Sequence, residues 1–230
     1  MTDNPAVRDL TCRECGESFD PADVTHQCPS CGGSLDVTYD LDAVDFDSGT
    51  VAERRFEGIA RYAELLPFTA ETLVTMDEGA TPLLPCPTLA DELGVGEVYV
   101  KDEGRNPTGS VADRGMAVAV TAAAESGADD VALPATGTEG QAAAAYAARA
   151  GLDSHAFVPA RSAFDAKAMI NVHGGDMNVV GGRYDDAVDA FREALADEAW
   201  HSLAPFETPY RVEGQKTLAY ELAEQLDWTA

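Results

Sequence analysis

The sequence predicts an α/β fold, a parallel sheet with helices on both faces, joined to a small cysteine-rich module at the N-terminal end. Three observations carry this. Apolar runs of strand length alternate with helical segments from Glu97 onward, glycines stand where those helices should stop, and two Cys-x-x-Cys pairs precede them all.

Cys12-Arg-Glu-Cys15 and Cys28-Pro-Ser-Cys31 form two knuckles with twelve residues between them. Each knuckle presents two thiolates to one ion, and four thiolates close a tetrahedral site that leaves no open position for chemistry. The spacing therefore predicts a structural zinc ribbon over residues 8–38, with Cys12, Cys15, Cys28 and Cys31 as ligands of Zn2+. Gly16 and Gly32 follow the knuckles, where the backbone must turn tightly around the sulfurs. A redox dithiol or a nucleic-acid-binding ribbon are the alternatives, and the acidic surroundings disfavour the second. His26 is expected at the surface and Cys86, among apolar and turn residues, as a buried thiol.

Residues 39–100 read as an acidic connector, then a helix around Ile59 to Leu66, then the first part of a larger domain. Beyond them the expected strands are Val98 to Val100, Asp130 to Ala135, Ser154 to Val158 and Met177 to Val180. Helices are expected from Asp113 to Ser126, Glu139 to Ala150, Ser162 to Val172 and Tyr184 to Trp200. Gly127, Gly151 and Gly174 occupy C-terminal cap positions. Ser162 and Asp165 have the spacing of a capping pair, and Val188, Phe191 and Leu195 make one apolar face of the last of these helices. Repeated strand-helix units of this size give a parallel sheet whose ligands bind beyond the carboxyl ends of the strands.

Composition narrows the function. The formal charge is −26, from 41 acidic against 15 basic residues, and Lys101, Lys167 and Lys216 are the only lysines. Such a charge repels itself in dilute buffer and is screened when the Debye length falls to about 3 Å near 1 M salt. A high-salt cytoplasm is the expected setting. The same acidity excludes nucleic acid and anionic membrane as partners. The polar stretch from Met1 to Leu10 is not expected to act as a signal peptide, and no apolar run reaches the ~18 residues of a membrane helix. In a reducing compartment clustered cysteines bind metal rather than pair.

Several segments carry a resemblance. They are Lys101-Asp-Glu-Gly-Arg-Asn-Pro-Thr-Gly-Ser-Val-Ala-Asp-Arg-Gly-Met116, Pro134-Ala-Thr-Gly-Thr-Glu-Gly140, Glu207-Thr-Pro-Tyr-Arg-Val-Glu-Gly-Gln-Lys-Thr217, Asp77-Glu-Gly-Ala-Thr-Pro-Leu83, the helix Ala144 to Leu152, and Gly182 to Ala187. With the ribbon, they resemble the threonine synthases, of the β-family (fold type II) of pyridoxal-phosphate enzymes that includes tryptophan synthase β chains and threonine dehydratases. The resemblance implies a small α/β domain at 101–205 inserted into a larger one, to which the chain returns at 206–230, with the cofactor between them. A family enzyme holds pyridoxal phosphate on a lysine and converts O-phosphohomoserine to threonine by losing phosphate and adding water. It further implies Thr136 and Gly137 as substrate-binding, Thr138 as cofactor-binding and Arg211 as an anion ligand.

The departures from the family pattern are specific. The lysine position is Ala112, and a methyl group forms no imine, so no catalytic residue is assigned there. Thr138 stands where an asparagine normally faces the cofactor ring, and Glu139 adds a negative charge beside it. Pro205 and Phe206 replace an asparagine-serine pair upstream of Arg211. Lys101 matches a common family residue ahead of the loop, while Asp113 and Arg114 are readable as a helix N-terminal acid and a surface pair. Family members continue well past the position of Ala230, so the larger domain is expected to be incomplete and to associate with itself or with a second chain that covers it. The expected function is that of a catalytically inactive relative; the alternatives are an active enzyme or related lyase completed by another chain, and a non-functional fragment.

Overall fold

The computed structural model describes residues 2–24, 26–44, 46–54 and 57–229. Its first element is a three-stranded antiparallel sheet in which β1 (Val7–Cys12) lies between β2 (Ser18–Phe19) and β3 (Leu35–Tyr39). Alternation along β1 and β3 turns Leu10, Cys12, Leu35 and Val37 inward, into the same core that the rest of the chain builds. A short α1 (Ser48–Glu53) follows, capped by Asp47, whose carboxylate accepts the Thr50 N–H. The helix expected around Ile59 to Leu66 is a 3-10 helix, Gly58–Leu65, with a kink at Tyr62. Its start is pinned to another segment: the Ile59 N–H donates to the Glu78 carbonyl at 2.8 Å, and a Cβ on Gly58 (φ 56°) would lie 2.5 Å from that oxygen. Only glycine fits there.

β4 (Leu83–Pro85), α2 (Pro87–Leu93) and β5 (Tyr99–Lys101) come next. This corrects one expectation: the strand read at Val98 to Val100 does not belong to the parallel sheet. Gly94, at φ 67°, ends α2 in a left-handed turn, and the chain returns to pair β5 antiparallel with β4.

The parallel sheet is made by β6 (Asp130–Pro134), β7 (Asp153–Pro159), β8 (Asp176–Val180) and β9 (His201–Ser202), in the order β8-β7-β6-β9. The helices are α3 (Ala112–Glu125), α4 (Thr138–Ala150), α5 (Phe164–Val172), α6 (Tyr184–Asp197) and α7 (Tyr210–Gln225). Val131, Leu133 and Val158 face the core shared with α3, α4 and Ile170 of α5, whereas Ala132 and Phe157 face Ala187 and Phe191 of α6. Both faces of the sheet are covered, which is why its strands read as continuous apolar runs. Gly127, Gly151 and Gly174 take positive φ at the helix ends, as the sequence predicts. The capping pair does not form: α5 starts at Phe164 without a side-chain cap, because the Ser162 N–H is committed to a turn with the Pro159 carbonyl at 2.9 Å.

α3 is buried on all sides from Ala112 to Ala123, a run of small and apolar residues broken by Asp113, Arg114, Gly115 and Thr121. It crosses α7 at very close range. A Cβ on Gly214 would lie 2.0 Å from the Arg114 carbonyl oxygen, and one on Gly115 2.9 Å from the Gln215 amide nitrogen. Two glycines thus let the two backbones touch.

Candidate ligand crevice and cysteine cluster

In the strand order β8-β7-β6-β9, the chain winds one way from β6 through β8 and then crosses to the other side for β9. That reversal opens a crevice beyond the carboxyl ends of β6 and β9, the place where sheets of this kind take ligands. Two segments meet at it. From β6 comes Thr136, Gly137, Thr138 and Glu139, leading into α4; from β9 comes the loop that ends in Arg211 on the first turn of α7. Thr136 and Thr138 are exposed, and the N-terminus of α4 has no side-chain cap, so its first N–H groups face the opening. Gly137 is required by packing, since a Cβ there would lie 2.9 Å from the Ala166 methyl of α5.

Arg211 does reach the crevice, but it is engaged. Its Nη1 donates to the Leu203 carbonyl at 2.9 Å and its Nη2 forms an ion pair with Glu139. Glu139 therefore neutralises the guanidinium that the resemblance implies as an anion ligand. Tyr184 stands close by: burial, together with the Glu139 charge, pushes its hydroxyl above the ordinary tyrosine range.

Ala112 opens α3 on the other wall. Ahead of it, Asn106 to Gly109 make a tight turn, the Gly109 N–H donating to the Asn106 carbonyl at 2.8 Å. Asp113 accepts from the Thr108 N–H (2.9 Å) and hydroxyl (2.6 Å), and the Ala112 N–H donates to the Ser110 hydroxyl at 3.1 Å. Gln141 of α4 donates to the Thr108 carbonyl at 3.1 Å and Gln215 of α7 to the Val111 carbonyl at 3.1 Å, so Ala112 is framed by the two helices that carry Glu139 and Arg211. Ala112 is 6% exposed. No lysine amine stands idle: Lys101 binds Glu221, Lys167 donates to the Ala160 carbonyl and Lys216 pairs with Glu213.

Asp113 and Arg114 are not a surface pair. Both are fully buried, and burial holds the Asp113 carboxyl above its usual range despite its hydrogen bonds. Arg114 makes a two-pronged contact with Glu103 (2.7 and 2.8 Å), reaches Glu221 (3.0 Å), and also donates to the hydroxyls of Thr217 (3.2 Å) and Thr81 (3.3 Å). Lys101 Nζ adds 2.5 Å to Glu221 and 2.7 Å to Gln225. Burial alone would raise the Glu103 carboxyl, but the Arg114, Thr81 and Asn106 hydrogen bonds with the Arg114 charge outweigh it and hold it below the ordinary value. This cluster joins α3, α7 and the segments flanking β4 and β5. Nothing local in the sequence marks it, because its members lie as far apart as Thr81 and Glu221.

At the other end, the four cysteine sulfurs lie within 4.8 Å of one another, with Cys12–Cys31 at 3.5 Å and Cys15–Cys28 at 3.7 Å. A tetrahedral ion with metal–sulfur bonds of about 2.3 Å sets its ligands about 3.8 Å apart, so the four residues fit such an ion as they stand. The turns behind the knuckles close by N–H donation from Gly16 to the Cys12 carbonyl (3.0 Å) and from Gly32 to that of Cys28 (2.8 Å), with φ of 74° and 75° at the glycines. The Cys15 N–H, aimed at the Cys12 sulfur, brings that thiol down to about 7. His26 and Cys86 differ from expectation. His26 is half-buried: its Nε2 accepts the Ser202 N–H at 3.2 Å and its ring lies 4.3 Å from that of His201, seating the ribbon against β9. Cys86 is only half-buried, because the β4–α2–β5 segment that carries it has little packed over it.

A parallel sheet covered by helices on both faces, with its strand order reversing between β6 and β9, defines an α/β protein. A profile of the family described as "Pyridoxal-phosphate dependent enzyme" matches residues 74–229, and the chain belongs to that family. It is threonine-synthase-like in sequence. A threonine synthase from Methanosarcina acetivorans is 40% identical over 220 residues, covering 95% of this chain and 54% of the relative. One from Methanocaldococcus jannaschii is 40% identical over 220 residues, covering 94% and 54%. The chain thus spans about half the length of the relatives it matches. Among solved structures, diaminopropionate ammonia lyase from Escherichia coli in complex with D-serine superposes with a TM-score of 0.63 at 22% identity, covering 74% of this chain and 49% of that one. Maize serine racemase gives 0.59 at 20%, covering 64% and 45%. These likenesses carry the fold.

Proposed function

We propose that this chain is a threonine-synthase-like protein without the family's lysine chemistry, a binding or regulatory relative rather than a catalyst. One observation carries the reading: residue 112, where the family pattern places the cofactor lysine, is a buried alanine at the mouth of the crevice. Pyridoxal phosphate supplies electron-sink chemistry when it is held as an imine. The residues here do not fit that hold, since the position has no amine, the three lysines of the chain are engaged elsewhere, and Glu139 neutralises the Arg211 guanidinium. What the crevice retains is a helix N-terminus with the hydroxyls of Thr136 and Thr138, a shape suited to hydrogen-bonding a small polar ligand without reacting with it.

In the same reading, Cys12, Cys15, Cys28 and Cys31 hold a structural Zn2+ that fixes the ribbon against β9 and α7. The protein works in a salt-rich cytoplasm. Among the described residues no helix is long and apolar enough to cross a membrane.

The test is a pyridoxal-phosphate titration in high salt of the native protein and of Ala112→Lys. Visible absorbance reports a protein-bound imine, borohydride traps it and peptide mapping locates it. No trapped imine is expected in the native protein, and one at residue 112 in the variant. An imine trapped at a single native lysine, Lys167 in particular, would overturn the reading.

A further inference from the structure

β9 is an edge strand of the parallel sheet and only two residues long. The Leu203 N–H just beyond it donates to the Ala132 carbonyl of β6 at 2.8 Å, so by the alternation of a strand the Ser202 N–H points the other way, off the sheet. Among the described residues no strand lies there to receive it. His26 of the ribbon receives it instead, its Nε2 accepting at 3.2 Å. The ribbon grips the next stretch as well: Ser34 Oγ donates to the Phe206 carbonyl at 3.1 Å. Phe206 has a φ of 63°, in the left-handed region, which a bulky residue occupies only where its surroundings hold it. Within the loop, the Ser202 hydroxyl donates to Glu207 at 2.6 Å, and the Leu203 carbonyl accepts from Arg211 at 2.9 Å. One wall of the crevice is thus tied to the ribbon at both ends of the stretch from Ser202 to Phe206.

These two ties differ from a third in what shapes them. His26 and Ser34 lie in residues 20–34, a stretch with no helix or strand among its described residues, and Cys28 and Cys31 stand between them. A ribbon of this kind takes its shape from the metal that gathers its cysteines, because binding the ion and folding the segment are one event. Tyr39, by contrast, sits on β3, whose pairing with β1 needs no ion, and its hydroxyl donates to Glu213 of α7. We propose that occupancy of the cysteine cluster controls the crevice. With the ion in place, His26 and Ser34 brace residues 202–209 as the wall that Arg211 leans on; without it both ties let go and that wall loosens, while α7 stays docked through Tyr39. The inference rests on the reading of Cys12, Cys15, Cys28 and Cys31 as a Zn2+ site, and goes beyond it by naming what the ion governs at a distance.

Amide hydrogen exchange of the full chain, read by mass in about 2 M KCl where charge repulsion is screened, tests it, with bound zinc counted in every sample. Stripping the ion with a chelator under reducing conditions is expected to speed exchange across residues 202–209 about tenfold or more, and to leave β6, β7 and α7 beyond Glu213 unchanged. Zinc-loaded His26→Ala should speed exchange at Ser202 about threefold to tenfold, the worth of one hydrogen bond, with the ribbon still protected. His26→Gln, whose side-chain oxygen accepts the same N–H, should restore the native rate. A chain that binds no zinc overturns the reading of the cysteines and this inference with it. Bound zinc whose removal leaves residues 202–209 unchanged, a loss of protection spread evenly over the whole chain, or native exchange at Ser202 in zinc-loaded His26→Ala each overturns the inference alone.

Discussion

Charge is handled in opposite ways at the crossing of α3 with α7 and along the outer face of α6. At the crossing two cations, Arg114 and Lys101, meet two carboxylates, Glu103 and Glu221, with Arg114 fully buried and every group held at hydrogen-bond distance. Along α6 the exposed acids Asp185, Asp189, Glu193 and Asp197 recur every fourth residue, which stacks like charges on one face. The net charge of −26 is therefore a property of the surface, while this part of the interior is balanced. Geometry holds the first arrangement together, and dissolved ions make the second tolerable.

The largest effect is expected at the crossing. Arg114→Met leaves Glu103 without its cation and Glu221 with Lys101 alone, and should lower stability by about 3–5 kcal/mol. Urea melts should give the same loss in dilute and in molar KCl; a loss that disappears in high salt would erase the contrast with α6. Gly214→Ala comes next. Its methyl would collide with the Arg114 carbonyl, 2.0 Å away, and the helices must separate, at a cost of roughly 1–3 kcal/mol measured by the same melts.

On α6, Glu193→Lys turns two repulsive pairs, with Asp189 and Asp197, into attractive ones. A gain of about 1 kcal/mol is expected in dilute buffer, fading to nothing at molar KCl. The thermal midpoint, followed as a function of salt, should register that convergence.

The smallest effect concerns pH. Glu78 is fully buried, and burial raises its carboxyl above the ordinary glutamate range despite hydrogen bonds from the Met76 N–H and the hydroxyls of Tyr146 and Thr75. A carboxyl raised in the folded state favours folding while protonated, below its unfolded value, and that contribution is lost as pH rises through the folded one. Relative to native protein, Glu78→Gln should therefore gain stability as pH climbs from about 4 to 7. A difference independent of pH would show that Glu78 ionises no differently in the two states.

Much of the small domain was legible in the sequence because β6, β7, β8 and the helices between them obey the simple periods of strand and helix and stop at glycine. Two parts were not. β9 is only two residues long and has no periodicity to read, so a strand that defines the crevice went unseen, and the apolar run at residues 98–100 took its place in the expected sheet. Arg114, readable from the sequence as part of a surface pair with Asp113, is fully buried. From Met116 to Ala124 α3 carries only methionine, alanine, valine and one threonine, and a helix apolar on all sides is a buried one. That signal was present. Its partners were not, since Glu221 follows Arg114 by 107 residues and only the fold brings them together. At the crevice, the residues to examine were legible, but the Arg211–Glu139 pair joins positions 72 residues apart.

The seating of the ribbon has a consequence for how the molecule is made. His26, Ser34 and Tyr39 hold Ser202, Phe206 and Glu213, partners that follow them by 176, 172 and 174 residues. At a synthesis rate of roughly 5–20 residues per second, the ribbon leaves the ribosome roughly 10–35 seconds before the surface on which it rests. A module able to close around its own ion can wait out that interval folded; one that depended on α7 for its shape would spend the time exposed. The first part of the chain to be made is thus among the last to find its place.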